Sequence, residues 1–264
     1  MQLVNHTAVI FAATGAVSTG VARAFAAAGA TLYLSGRDLG AVERLARELA
    51  ATGAQVHTHQ VDALDEAAVQ AYAGTVLAQA GQVDSVFNGI GIRAAEGQYG
   101  TPAHLLPLEA FWLPLRQHVG SQFLTAKAFA PHFAARQRGA VVLLSASLGK
   151  DPAPAMAGIG AACGAIEALT RALAAEFALF GARVNCVNGG AMVETRTIQE
   201  TTARNAAGMG MPPEAFLEML RQRPITRRFP TVAEVANVAV YLASDYASAL
   251  TGQVVNATAG LVLL

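Results

Sequence analysis

Short apolar runs alternate along the chain with longer segments whose apolar positions recur at helical spacing. Thr7–Ala12, Thr31–Ser35, Gln55–Gln60, Val83–Phe87, Ala140–Ser145, Arg183–Asn188 and Val254–Ala257 read as strands. Ser18–Ala28, Leu39–Ala51, Asp65–Ala80, Leu115–Gln137, Ala155–Phe180 and Thr231–Ser244 read as helices, with Gly29 and Gly53 closing the first two. Strands apolar on both faces and joined by helical crossovers predict a parallel sheet covered on both sides. Right-handed crossovers then leave few topologies. The expected fold is α/β, a doubly wound seven-stranded parallel sheet with helices on both faces, with residues 1–264 forming one domain. Gly189–Pro230, rich in Met, Gly, Pro and Arg, breaks the rhythm. An irregular segment of that length is expected to be a lid or binding loop, at about 191–229.

Composition narrows the partners. Of 264 residues, 53% are hydrophobic and only 14% charged, and the formal net charge is zero. The absence of a basic stripe argues against nucleic acid. A weakly charged surface favours burial in an oligomer. No apolar run approaches the roughly 18–20 residues that span a bilayer. Met1–His6 lacks the basic start of a signal peptide, so no membrane partner or secretion signal is expected. Cys163 and Cys186 form neither a disulfide framework nor a metal pattern, which fits a reducing, cytoplasmic setting. His57 and His59 share one face of a strand but lack a third ligand in sequence, so a solvated face is expected there and no metal is assigned.

The candidate chemistry begins where the first strand ends. Ala12-Ala13-Thr14-Gly15-Ala16-Val17-Ser18-Thr19-Gly20 is a small-residue turn opening a helix, which lets backbone N–H groups approach a pyrophosphate at the helix N-terminus. Gly15, Ser18 and Thr19 are the expected contacts. The glycine pattern is incomplete, with Ala12, Ser18 and Ala22 where other glycines would sit. The second strand ends in Ser35-Gly36-Arg37. An NAD site wants a carboxylate there, whereas an arginine fork suits a 2′-phosphate, so NADP(H) is expected over NAD(H). Asp62 and Ala63 follow the third strand and suit an adenine amino group. Asn88 and Gly89 open Asn88-Gly89-Ile90-Gly91 after the fourth, beside the ribose. All lie at strand carboxyl ends, where open α/β sheets bind ligands, and together they point to a Rossmann dinucleotide site.

With these marks the chain resembles the short-chain dehydrogenase/reductase family over essentially its whole length. The carriers are Thr14-Gly15, Asp62, Asn88–Gly91, and Arg183–Gly190, where Gly189 replaces the family's proline. Pro224–Arg228, Glu234–Ala236, Leu242–Asp245 and Thr251–Gln253 extend the resemblance through the C-terminal region. The resemblance implies a Tyr and a Lys four residues apart on one helix face, with the Tyr exchanging a proton with the substrate oxygen and the Lys lowering its pKa. It also implies a Ser at the end of the fifth strand and an Asn carrying a water relay. Here the Tyr position falls on Ile159 and the Lys position on Cys163. The Ser position falls on Ala146, between Ser145 and Ser147, and the Asn position on His118. The wider spacing of the family's enoyl reductases places Met156 at the Tyr. No tyrosine lies between Tyr99 and Tyr241.

Hydride transfer needs the cofactor and an aligned acceptor, so loss of the usual acid does not end redox chemistry. The candidate replacements are His118 as acid, Cys163 as donor or nucleophile, and Ser145 or Ser147 as holders of a substrate oxygen. Each also has a structural alternative: a helix contact, a buried small residue, a strand-end cap. Lys150 and Asp151 precede Pro152 and read as a solvated pair. Met209, Met211 and Met219 near Phe216 suggest an adaptable apolar pocket wall, hence an apolar small-molecule substrate. Three functions follow as alternatives: an NADP(H) oxidoreductase with a non-standard proton donor, a cofactor-binding sensor or scaffold, and a non-redox isomerase or cyclase. The Leu115–Gln137 and Ala155–Phe180 helices are apolar on more than one face, so a homodimer or homotetramer is expected.

Overall fold

The computed structural model describes residues 3–263. In it, β1 (Thr7–Phe11) shows how the two-faced burial arises. Its five residues are all buried, and alternation sends Ala8 and Ile10 to one face and Val9 and Phe11 to the other. The first face packs α1 (Ala16–Ala27), α2 (Leu39–Ala50) and α9 (Val232–Ala243). The second packs α3 (Glu66–Ala80), α5 (Ser121–Arg136) and α6 (Ala157–Phe177). The remaining strands are β2 (Thr31–Gly36), β3 (Val56–Gln60), β4 (Ser85–Asn88), β5 (Gly139–Ala146), β6 (Ala182–Gly189) and β7 (Val254–Ala257). All pair parallel, in the order β3-β2-β1-β4-β5-β6-β7. The expected seven-stranded, doubly wound sheet is therefore present, with strand ends differing from the expected ones by a residue or two, as end fraying allows.

Three helical segments depart from expectation. The helix read from Leu115 is already under way at α4 (Leu108–Pro114). Pro114 lacks an N–H and breaks the regular ladder, and the chain makes a wide π turn over Leu115–Gly120 before α5. The helix read as Ala155–Phe180 begins at Ala157 and finishes in a 3-10 turn, closed by Gly181 at φ 77°. The segment read as irregular holds two helices, α7 (Arg196–Gly208) and α8 (Pro213–Arg221). Thr195 caps α7, its hydroxyl accepting from the Ile198 N–H, and α8 carries a proline in its first turn, both ordinary helix starts. Met and Gly at 208–211 mark the break between them rather than a structureless loop.

Side chains of the sixth-strand motif do architectural work. Arg183 donates to the carbonyls of Leu242 and Ser244 at 2.8 and 3.0 Å, satisfying the end of α9. Asn185 bonds the Leu250 carbonyl and the Gln253 N–H, tying β6 to the approach of β7. Among the described residues, no helix is long and apolar enough to cross a membrane.

Candidate functional site

A cleft of about 510 Å³ runs along the carboxyl ends of the strands, from the tips of β2 and β3 to those of β5 and β6. Its floor is the turn after β1. Ala12 sits at φ 50°, the left-handed region that glycine adopts without cost, so its place in the pattern is one where glycine would relieve strain. The Ala13 N–H bonds the Ser35 carbonyl and the Gly15 N–H bonds that of Ala12, each at 2.9 Å. Gly15 is the N-cap of α1 and lines the cleft with Thr14. Ser18 and Thr19 do not line it. The Thr19 hydroxyl donates to the Ala13 carbonyl at 2.9 Å, and Ser18 is fully buried beneath Gly89. A Cβ on Gly89 would stand 2.2 Å from the Ser18 Oγ, so only glycine lets the two segments approach this closely. Both hydroxyls thus shape the turn from behind.

At the β2–β3 end, Arg37, Asp62 and Ala63 line the cleft together. The neighbouring Asp38 carboxylate accepts from the Ala41 N–H at 2.9 Å as the N-cap of α2, which commits it locally. Asp62 accepts from the Leu64 N–H at 3.0 Å with one oxygen. Asn88 is not in the lining. It is buried, its amide donating to Thr125 Oγ1 at 3.0 Å and its carbonyl accepting from the Ile90 N–H at 2.9 Å. It folds the loop that presents Gly89, Ile90 and Gly91 to the cleft.

At the β5–β6 end, Ser145, His118, Ile159 and Cys163 come together in the lining, and Ser147 does not. Ser145 and Ala146 end β5 in the lining, whereas Ser147 lies past the strand and opens the 3-10 turn, its carbonyl receiving the N–H groups of Lys150 and Asp151. Ser145 is placed by Gln122, whose buried amide pairs both ways with Leu144, donating at 2.8 Å and accepting at 2.9 Å. The Ser145 hydroxyl donates to the Cys163 carbonyl at 3.3 Å. Burial raises the Cys163 thiol above its ordinary range, so it is not an activated nucleophile. His118 lies in the π turn, a conformation found mostly at functional sites. Its Nε2 is buried and has no partner among the described residues. Burial lowers its pKa to about 4, so the imidazole is neutral at neutral pH.

Other expectations are corrected. Met209 and Met219 are 52% and 42% exposed, and the methionine in the cleft wall is Met192. Lys150 approaches the buried Glu167 at 3.9 Å and Asp151 pairs with Arg223, so they are not a solvated pair with each other, and neither lines the cleft. His57 and His59 do share a face, as expected, with His57 exposed and His59 half-buried, and their rings stack on Tyr33 with centroids at 4.5 and 6.4 Å. Among the described residues no group of side chains suits a metal ion. The structure also adds residues the pattern did not single out. Arg93, Gln117, Thr195 and Thr197 line the cleft, and Tyr99 packs in one buried cluster with Met156, Ile159 and Cys163. A polar side chain just past a β-strand's carboxyl end was the available signal for Arg93.

The glycine cradle, the arginine and the strand-edge cleft fit a dinucleotide, and known proteins agree. Residues 12–262 match the family described as Enoyl-(Acyl carrier protein) reductase. Galactitol 2-dehydrogenase (L-tagatose-forming) of Cereibacter sphaeroides is 32% identical over 98% of this chain and 96% of its own length. The inactive 2-(S)-hydroxypropyl-CoM dehydrogenase 2 of Xanthobacter autotrophicus is 32% identical over 92% of this chain and 100% of its own. The structure of NAD+-bound xylitol dehydrogenase shares the fold, with a TM-score of 0.92 at 23% identity, covering 98% of this chain and 100% of that one. The chain belongs to the short-chain dehydrogenase/reductase family of NAD(P)-binding oxidoreductases.

Proposed function

We propose that this chain is an NADP(H)-dependent oxidoreductase in which His118 and Ser145 hold the substrate oxygen by hydrogen bonds, because the family resemblance places its acid tyrosine and lysine at Ile159 and Cys163. The observation that carries this reading is the buried, unpartnered Nε2 of His118 in the same cleft as Ser145. Buried polar groups rarely go unpaired, and an orphan in a cleft awaits a ligand atom. When bound, the nicotinamide supplies or accepts hydride. Ser145 and the neutral imidazole hold the substrate oxygen, the imidazole donating a hydrogen bond rather than a full proton, which arrives from water. Gly15, Gly89 and the α1 N-terminus hold the pyrophosphate side, Arg37 the 2′-phosphate, and the segment at about 191–229 covers the cleft. The whole chain acts as one domain.

A second reading has its own support. One relative is named as inactive, and the two missing side chains also suit a protein that binds cofactor without turnover. The two buried free cysteines suit the reducing cytoplasm, which we take as its compartment.

Four outcomes test these readings. NADPH should bind at least about tenfold more tightly than NADH, and Arg37→Ala should abolish that preference. Protein-fluorescence titration decides, and equal affinities would end the assignment. A panel of apolar ketones and activated alkenes should draw NADPH consumption that falls about 10²-fold in His118→Gln with cofactor affinity unchanged. Tight binding with no consumption across the panel would favour the non-catalytic reading.

The third concerns pH. His118 has a folded pKa near 4 against an ordinary 6.5, so the unfolded chain takes up its proton first as pH falls. Its contribution to stability is complete above 6.5 and is lost on the way down to about 4. His6, His59 and His132 are also lowered by burial and act in the same direction. Calorimetric melting across this window should show a shallower acid loss in His118→Gln than in the parent, and parallel curves would contradict it. The fourth concerns assembly. We infer a homodimer or homotetramer, supported by large apolar side chains left open on the helical layer, among them Leu179 at 85% and Phe123 at 42% exposure. Light scattering should give twice or four times the chain mass, and a monomer would refute it.

A further inference from the structure

A second cation lines the cleft away from Arg37. This is Arg93, in the loop after β4, beside the cleft's apolar residues Ile92, Ile159, Met192 and Ile198. Its side chain is 55% exposed and makes one ion-pair contact, from Nη2 to Oε1 of Glu200 on α7, at 3.4 Å. That same oxygen already receives the Arg196 Nε at 2.7 Å, while Glu200 Oε2 is buried without a partner. Arg93 therefore holds the weaker half of a shared carboxylate. An exposed, long contact of this kind contributes little, and Glu200 keeps its better partner if Arg93 leaves. The loop and α7 are joined independently by Arg204, whose Nε donates to the Tyr99 carbonyl at 2.7 Å. Covering the cleft thus does not depend on Arg93. Its guanidinium has five donors, most of them uncommitted.

We propose that Arg93 anchors an anionic end group, a carboxylate or a phosphate, on a substrate whose body is apolar. The inference rests on the reading of this cleft as an oxidoreductase site and names the class of molecule it takes. The planar fork of arginine matches either oxyanion with two parallel hydrogen bonds, and the surrounding Ile and Met side chains take a hydrocarbon chain. Arg37 after β2 and Arg93 after β4 then divide the anions of the cleft between cofactor and substrate.

Isothermal titration of the NADPH-loaded protein with decanoate, decyl phosphate and decanol tests this. At least one of the two anions should bind about tenfold more tightly than decanol. Arg93→Gln should erase that advantage while leaving decanol binding unchanged. Arg93→Lys should retain part of it, because the charge stays and the fork goes. Glu200→Gln should strengthen anion binding by freeing Arg93 of its competitor. The anion that responds identifies the end group. Equal binding of all three probes would overturn the proposal, as would an Arg93→Gln variant that loses decanol as much as the anions, which marks a purely structural clasp. NADPH titration of the same preparations separates the two levels. Failure to bind NADPH counts against the oxidoreductase reading, whereas NADPH binding without charge discrimination counts against Arg93 alone.

Discussion

Backbone pairing of β1 with both β2 and β4 is the constraint on which everything else hangs. Ala8 sits opposite Leu32 on one side and Ser85 on the other, so the chain must leave β1 in one direction and return on its other flank. Parallel pairing forces each connection to cross the sheet by a helix, and the strand order reverses at β1. That reversal leaves the connections after β1 and β4 diverging, and the cleft opens between them. Every residue that shapes its floor, from Ala12 to Gly89, is placed by these two ladders.

Burial then decides which polar groups are chemistry and which are structure. Asn88, Asn185, Gln122 and Ser18 are all buried, and each has protein partners that complete its hydrogen bonds. They hold loops and strands in place. His118 is the contrast. The π turn that follows Pro114 carries its ring to the cleft with Nε2 unpaired, so the low dielectric that neutralises it also leaves it a free hydrogen-bonding atom. A buried polar atom without a partner costs stability in the free protein.

Legibility varied with the range of the interaction. Element types and order were readable because apolar periodicity reports local burial, and the two clusters flanking β1 reproduce it. The 191–229 segment differs from its irregular reading for a local reason: α7 is polar on average, and α8, though amphipathic, is only nine residues long and set off by Gly208, Gly210 and Pro212, so neither makes a long apolar stripe. Of the cofactor-side residues, Gly15, Arg37, Asp62, Ala63 and Gly89 lie in the cleft, while Ser18, Thr19 and Asn88 stand behind it. Sequence position at a strand end cannot separate a side chain that faces the cleft from one that turns back into its own loop.

The sequence by itself determined the parallel sheet, the small-residue turn that ends β1, the presence of Arg37 directly after β2, and the absence of any tyrosine between Tyr99 and Tyr241. Those properties follow from residue type and spacing along the chain. Only the tertiary structure decided that Ser145 faces the cleft and Ser147 does not, that His118 Nε2 has no partner among the described residues, and that Arg93, Met192 and Ile159 line one cleft. These depend on side-chain direction and on contacts between segments far apart in sequence, which no local pattern encodes.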